Sequence, residues 1–198
     1  MRQRNLAAFV ALWIVGCSGQ DAAPATDSTS SPPVVVFETS LGTIVAELAP
    51  EHAPQTVRHF LTHVRSQFYD GIIVHRVEPG FVIQAGGYQP DMRERRTSAF
   101  PVANENPTGL LNARGTLAMA RTADPHSGLV DFFINLADNA RLDYRDSTAE
   151  GWGYVVFGRV IEGMDVVDVI AGTPTRPQGR LRSLPIEPII ISHAYIRE

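Results

Sequence analysis

Between positions 34 and 198 the apolar residues fall in short runs, rich in β-branched and aromatic side chains and punctuated by Gly, Pro, Asn and Asp. Eight of these runs read as strands: Val34–Thr39, Thr43–Leu48, Ile72–Val77, Phe81–Gln84, Gly115–Ala120, Phe132–Leu136, Tyr154–Val160 and Ile189–Tyr195. Only two stretches carry the helical period. After Pro54, the residues Val57, Phe60, Leu61 and Val64 fall at i, i+3, i+4 and i+7 and make one apolar stripe. Later Met164, Val167 and Ile170 repeat that spacing, with Gly172 placed to stop the helix. Two helices are too few to cross over between eight parallel strands. The pattern therefore predicts a mainly β domain over 34–198, a closed eight-stranded antiparallel barrel capped by two α-helices.

The residues before that domain follow a different logic. Arg2 and Arg4 precede Leu6–Gly16, an apolar run far shorter than the roughly 20 residues a bilayer-spanning helix requires, so 1–16 reads as an export signal. Ile14-Val15-Gly16-Cys17 resembles the lipobox of bacterial lipoproteins, which implies cleavage before Cys17 and lipidation of that residue. Ser18–Pro33 is Ser-, Thr-, Ala- and Pro-rich and lacks apolar periodicity, so 17–33 is expected to be a lipidated cysteine followed by a disordered tether of roughly 20–25 Å. The expectation is a monomer anchored in the cell envelope, facing the periplasm and touching membrane only through its lipid. Ser18 in place of an Asp after the cysteine favours the outer membrane.

Composition narrows the chemistry. The formal charge is −4, and all 17 basic residues are Arg. Lysine Schiff-base chemistry and the P-loop lysine are thereby excluded, and no basic surplus exists to neutralise nucleic-acid phosphates. One Cys rules out an internal disulfide and a Cys-rich zinc site. His59 and His63 have the i, i+4 spacing of a metal-binding pair, but the helical wheel puts them opposite the apolar stripe with no HExxH pattern, so a solvated face is expected and no metal. Asp124, His126 and Ser127 supply the residue types of a hydrolytic triad without a GxSxG turn to present the serine. Arg93, Arg95 and Arg96 alternate with acidic neighbours and read as a solvated loop. Nothing calls for a cofactor.

One segment remains distinctive, His75-Arg76-Val77-Glu78-Pro79-Gly80-Phe81-Val82-Ile83-Gln84-Ala85-Gly86-Gly87. A Pro-Gly turn between two strands would place Arg76 and Phe81 on one sheet surface. From spacing alone, core packing of Phe81 and Ile83 beside a surface Arg76 reads equally well. The run His75-Arg76, Pro79-Gly80-Phe81 and Gln84 resembles the signature of the cyclophilin-type peptidyl-prolyl cis-trans isomerases. Gly115–Arg121, Asp131–Asn135 and Tyr154–Gly158 follow in the family's order and spacing, and Met119–Ser127 is similar to the periplasmic bacterial branch.

That resemblance implies the same barrel reached from periodicity and a role for Arg76 as the catalytic arginine. It implies a proline pocket lined by Phe81, Val82, Phe133 and Leu142, with Gln84 orienting substrate or Arg76. Ala120 and Arg121 would contact the peptide backbone, and Tyr154 would stand at the rim, where many members carry His. Proline-containing segments of unfolded or exported proteins would be the partners. Two positions depart from the family. Asp131 replaces a usual Gln, and a carboxylate within about 4–6 Å of Arg76 would pair with it and reduce activity. Arg141 replaces an aromatic that supports cyclosporin binding, so weak cyclosporin sensitivity is expected. These two departures motivate an alternative, a catalytically weak proline-peptide-binding module or chaperone on the same fold.

Overall fold

A computed structural model of the chain describes residues 31–198; the signal, Cys17 and most of the expected tether lie outside them. In chain order the strands are β1 (Val34–Thr39), β2 (Gly42–Leu48), β3 (Ile72–Glu78), β4 (Val82–Ala85), β5 (Thr116–Met119), β6 (Phe132–Asn135), β7 (Val156–Glu162), β8 (Thr175–Gln178), β9 (Leu181–Pro185) and β10 (Ile190–Arg197). Eight of them close into an antiparallel barrel in the order β1-β10-β3-β4-β6-β5-β7-β2. The remaining two, β8 and β9, form a separate hairpin. Their Arg-, Gln- and Pro-containing segments have no apolar alternation, which is why periodicity does not report them.

The helices α1 (Pro54–Arg65) and α2 (Met164–Ala171) turn their predicted stripes inward: Val57, Phe60, Leu61, Val64, Val167 and Ile170 are all buried. Phe60 meets Phe37, Tyr69, Phe132 and Phe157 at ring-centroid distances of 5.0–6.3 Å, joining α1 to the barrel interior. Its first turn has no cap from its own Ala53. Instead, Glu105 accepts hydrogen bonds from the backbone N–H groups of Gln55 and Thr56 and from the Thr56 hydroxyl, a carboxylate brought to the positive helix end by a distant loop.

The polar face of α1 corrects the expectation of solvation. His63 is 3% exposed. Its Nδ1 donates to His59 O and its Nε2 accepts from the Thr97 hydroxyl, while His59 Nε2 bonds Leu129 O. The long segment between β4 and β6 folds over this face, and an irregular loop carries no period that would announce such cover. Burial holds the His63 imidazole below its usual pKa. The expected solvated arginine loop is likewise half wrong, because Arg95 is partly buried and donates to Phe68 O and Asp70 O. Among the described residues, no helix is long and apolar enough to cross a membrane.

Candidate active site

Strand register builds the site. Residues directly opposite one another in paired strands share a face. Arg76 of β3 pairs with Gln84 of β4, Gln84 with Phe133 of β6, Phe133 with Ala118 of β5, and Ala118 with Val156 of β7. One row thus crosses five strands on the outer wall. The next residues along, Val77, Ile83, Ile134 and Leu117, form the matching row inside, within the main core. Val82, Ala118, Phe133 and Val156 make a second buried apolar cluster on the outer wall, with Phe81, Leu110, Ala120, Leu142 and Tyr154 packed half-buried around it.

Arg76 sits at the polar end of this row, its side chain 40% exposed, so it is reachable from solvent yet braced. Its Nη1 donates to Gln84 Oε1 at 3.5 Å, its Nε lies 3.5 Å from Glu78 Oε1, and its guanidinium is 5.6 Å from the Phe81 ring centroid. Glu78 is held in turn by the Ser183 hydroxyl, 2.6 Å away on β9. The β8–β9 hairpin therefore steadies the carboxylate beside the arginine.

Asp131 does not pair with Arg76. Gln84 stands between them, and the acidic neighbour of Arg76 is Glu78, two residues along the same strand. The Asp131 carboxyl packs over Gly86 and Gly87; a Cβ added to Gly86 would meet its Oδ1 and Cα at 2.5 Å, so only glycine admits this contact. Oδ1 is sealed from solvent without a hydrogen-bond partner. Desolvation pushes the carboxyl up to about 6, held back by the Gly87 N–H and the Gln84 amide and helped by the charge of Glu94. His75, beside Arg76 in sequence, is buried against Tyr88 and driven down to about 4 by desolvation and by the Arg76 charge.

The far end of the row is closed by a network that composition and periodicity do not announce. Asn139 donates to Phe81 O and to Asn135 Oδ1; Asn135 donates to Asn112 Oδ1 and to the Thr116 hydroxyl; Asn112 donates to Leu142 O and Asp143 Oδ1. All three asparagines are nearly inaccessible, so a fully bonded polar chain fixes Phe81 relative to the 3₁₀ turn Ala140–Leu142 that carries Leu142. The only sequence signal is a set of amide side chains next to apolar strand ends. Gly153, at φ +58°, lets the Tyr154 segment meet Leu142 O, where a Cβ would come within 2.5 Å. The Tyr154 N–H then donates to Leu142 O, and its ring packs edge-on against Phe133 at 5.4 Å.

Ala120 packs against the outer-wall cluster, and Arg121 follows it beside Tyr154. The Arg121 guanidinium donates to Gly153 O, Thr122 O and Ala149 O while lying 4.9 Å from the Tyr154 ring centroid, and the Ala120 N–H donates to Asp131 O. The Asp124, His126 and Ser127 set forms a turn and no triad, with the Ser127 hydroxyl donating to Asp124 O. The structure thus brings Arg76, Phe81, Val82, Gln84, Phe133, Leu142 and Tyr154 to one face, with Asp131 behind Gln84.

An arginine beside an outward-facing apolar cluster on a closed barrel is the arrangement expected above, and the family of the chain follows from its likeness to known proteins. The family described as cyclophilin type peptidyl-prolyl cis-trans isomerase/CLD matches residues 34–196. The chain belongs to that family. A peptidyl-prolyl cis-trans isomerase of Streptomyces antibioticus is 51% identical over 162 residues, 82% of this chain and 97% of the relative. Peptidyl-prolyl cis-trans isomerase B of Escherichia coli (strain K12) is 46% identical, covering 83% of this chain and 100% of the relative. Peptidyl-prolyl cis-trans isomerase A of Dickeya dadantii (strain 3937) is 42% identical over 196 residues, 99% of this chain and 98% of that one. Among solved structures, a cyclophilin-type isomerase of Cryptosporidium parvum obtained in the presence of the dipeptide Ala-Pro is similar with a TM-score of 0.67 and 25% identity, covering 83% of this chain and 99% of that one. The protein is a cyclophilin-type peptidyl-prolyl isomerase.

Proposed function

We propose that this isomerase accelerates slow X-Pro steps in exported proteins that fold outside the inner membrane, with Arg76 stabilising the twisted amide. Rotation about an X-Pro bond works against amide resonance, with a barrier near 18–20 kcal/mol and uncatalysed times of tens to hundreds of seconds. Twisting removes the resonance and localises a lone pair on the prolyl nitrogen. A guanidinium that donates there stabilises the twisted form more than either planar form, without a covalent step. Arginine suits the task because it stays protonated and presents its donors in a planar fork.

The observation that carries this reading is the placement of Arg76. Braced by Gln84 and Glu78, it borders the outer-wall cluster of Val82, Phe133 and Phe81, which suits a pyrrolidine ring. The alternative of a weak binding module drew on Asp131 and Arg141; Asp131 makes no ion pair with Arg76, which removes the first motive, while Arg141 lies over the Phe81 ring and keeps the second. In a proline-peptide isomerisation assay on the intact protein, Arg76→Ala should lose most of the catalysed rate while still binding peptide. A variant as fast as wild type would overturn the mechanism.

For location, the lipobox-like Ile14–Cys17 and the Ser18–Pro33 composition support a lipid anchor on Cys17, facing the periplasm, with Ser18 favouring the outer membrane. Labelled palmitate should enter wild type and not Cys17→Ala, and the variant should leave the membrane fraction. Equal labelling of both proteins would remove the anchor from the reading.

A further inference from the structure

Three arginines lie against the aromatic rings that border the outer-wall cluster, and they differ in what they are bonded to. Arg76 has Glu78 and Gln84, whereas Arg121 spends its guanidinium on three backbone carbonyls. Arg141, on the Ala140–Leu142 turn, has no hydrogen bond or ion pair among the described residues, and it is exposed. It is nevertheless held in place, since its guanidinium lies 4.2 Å from the Phe81 ring centroid, the shortest of the cation–π contacts around the cleft. The turn under it is tied to the same phenylalanine, because Asn139 donates to Phe81 O and Leu142 packs on the outer-wall cluster. The nearest acids in sequence are otherwise engaged: Asp138 accepts from the Arg114 N–H, and Asp143 accepts from the Asn112 N–H and side-chain amide.

We propose that Arg141 is a specificity-determining residue, a fixed cation at the mouth of the proline cleft that selects segments carrying Asp or Glu beside the proline. This rests on the reading of the outer-wall cluster as the proline site. A planar guanidinium stacked on an aromatic face keeps its in-plane N–H donors free, and these match the two oxygens of a carboxylate. The aromatic fixes the cation beforehand, so little side-chain freedom is lost when the ion pair forms. The chain as a whole is acidic, which makes a locally cationic mouth a feature of the site and not of the surface in general. Exposed charge pairs are weak, so the preference should be modest, about three- to tenfold in kcat/KM for Glu over Lys next to the same proline, and it should shrink in high salt.

The test uses the intact protein and paired peptides that differ only in Glu or Lys on one side of the proline, assayed at low and high salt. Wild type should favour Glu, Arg141→Gln should bring the ratio close to one, and Arg141→Glu should invert it. Arg141→Lys should retain part of the preference, since it keeps the charge and loses the fork. An Arg141→Gln ratio equal to that of wild type overturns the proposal. Loss of turnover on every peptide in Arg76→Ala, together with an unmoved ratio in Arg141→Gln, would leave the site assignment standing and reject this inference alone. Full activity in Arg76→Ala would instead remove the site assignment beneath it.

Discussion

Leu117 and Ala118 are consecutive residues of β5, both 0% exposed, yet they serve different ends. Leu117 lies in the interior row with Ile83 and Ile134, packed all round by its own fold. Ala118 faces outward into the smaller cluster with Val82, Phe133 and Val156, which is covered only by half-buried groups on loops and turns. Because side chains alternate across a strand, one five-strand wall presents two apolar surfaces, one enclosed by the barrel and its helices and one covered from outside by loops and turns. The lesson is that burial alone does not distinguish the two surfaces; what differs is whether the cover comes from regular elements or from half-buried side chains on loops and turns.

The sharpest way to break this comparison is to cut into the inner surface. Phe157, fully buried and 5.0 Å from Phe60, should cost about 3–5 kcal/mol when changed to Ala, read as a fall in the denaturant midpoint, with turnover per folded molecule retained. On the outer surface the pattern should reverse. Arg76→Ala should lose about 100-fold in kcat/KM, equivalent to about 2.7 kcal/mol, with the midpoint hardly moved because the side chain is 40% exposed. If both variants lost stability alike, the two rows would not be distinct.

Asp131 sharpens the contrast from the boundary. Its folded pKa of about 6 stands above the ordinary 3.8, so folding favours the protonated acid. Stability from this group is complete below pH 3.8 and is lost as pH rises through 6. Asp131→Asn should accordingly stabilise the protein at pH 7.5 by about 2 kcal/mol and by almost nothing at pH 3.5, measured by chemical denaturation. An equal gain at both values would contradict the burial of Oδ1. Glu105→Gln gives the smallest effect, a loss of about 1 kcal/mol from weakening the remote cap of α1, with kcat/KM unchanged.

How much was readable in advance follows from what a period can carry. The eight barrel strands announce themselves as short β-rich runs and both helices through 3.6-residue apolar spacing; β1 matches at both ends, and the other strand ends lie within two residues of expectation. At β7 the displacement has a cause: Tyr154 spends its N–H on Leu142 O and not on a neighbouring strand. The outer-wall residues could be located by resemblance, because the row is spread over five strands distant in sequence. Polar partners could not. Glu78, His63, Glu105 and the three asparagines are placed by long-range contacts across irregular loops, and no local pattern encodes which carbonyl or amide a polar side chain will meet.

Closure of the barrel has one more effect. Each of its eight strands is paired on both sides, so the wall offers no open edge onto which an extended polypeptide could add itself as a further strand. Closure thus removes from the barrel wall the commonest template for edge-to-edge aggregation.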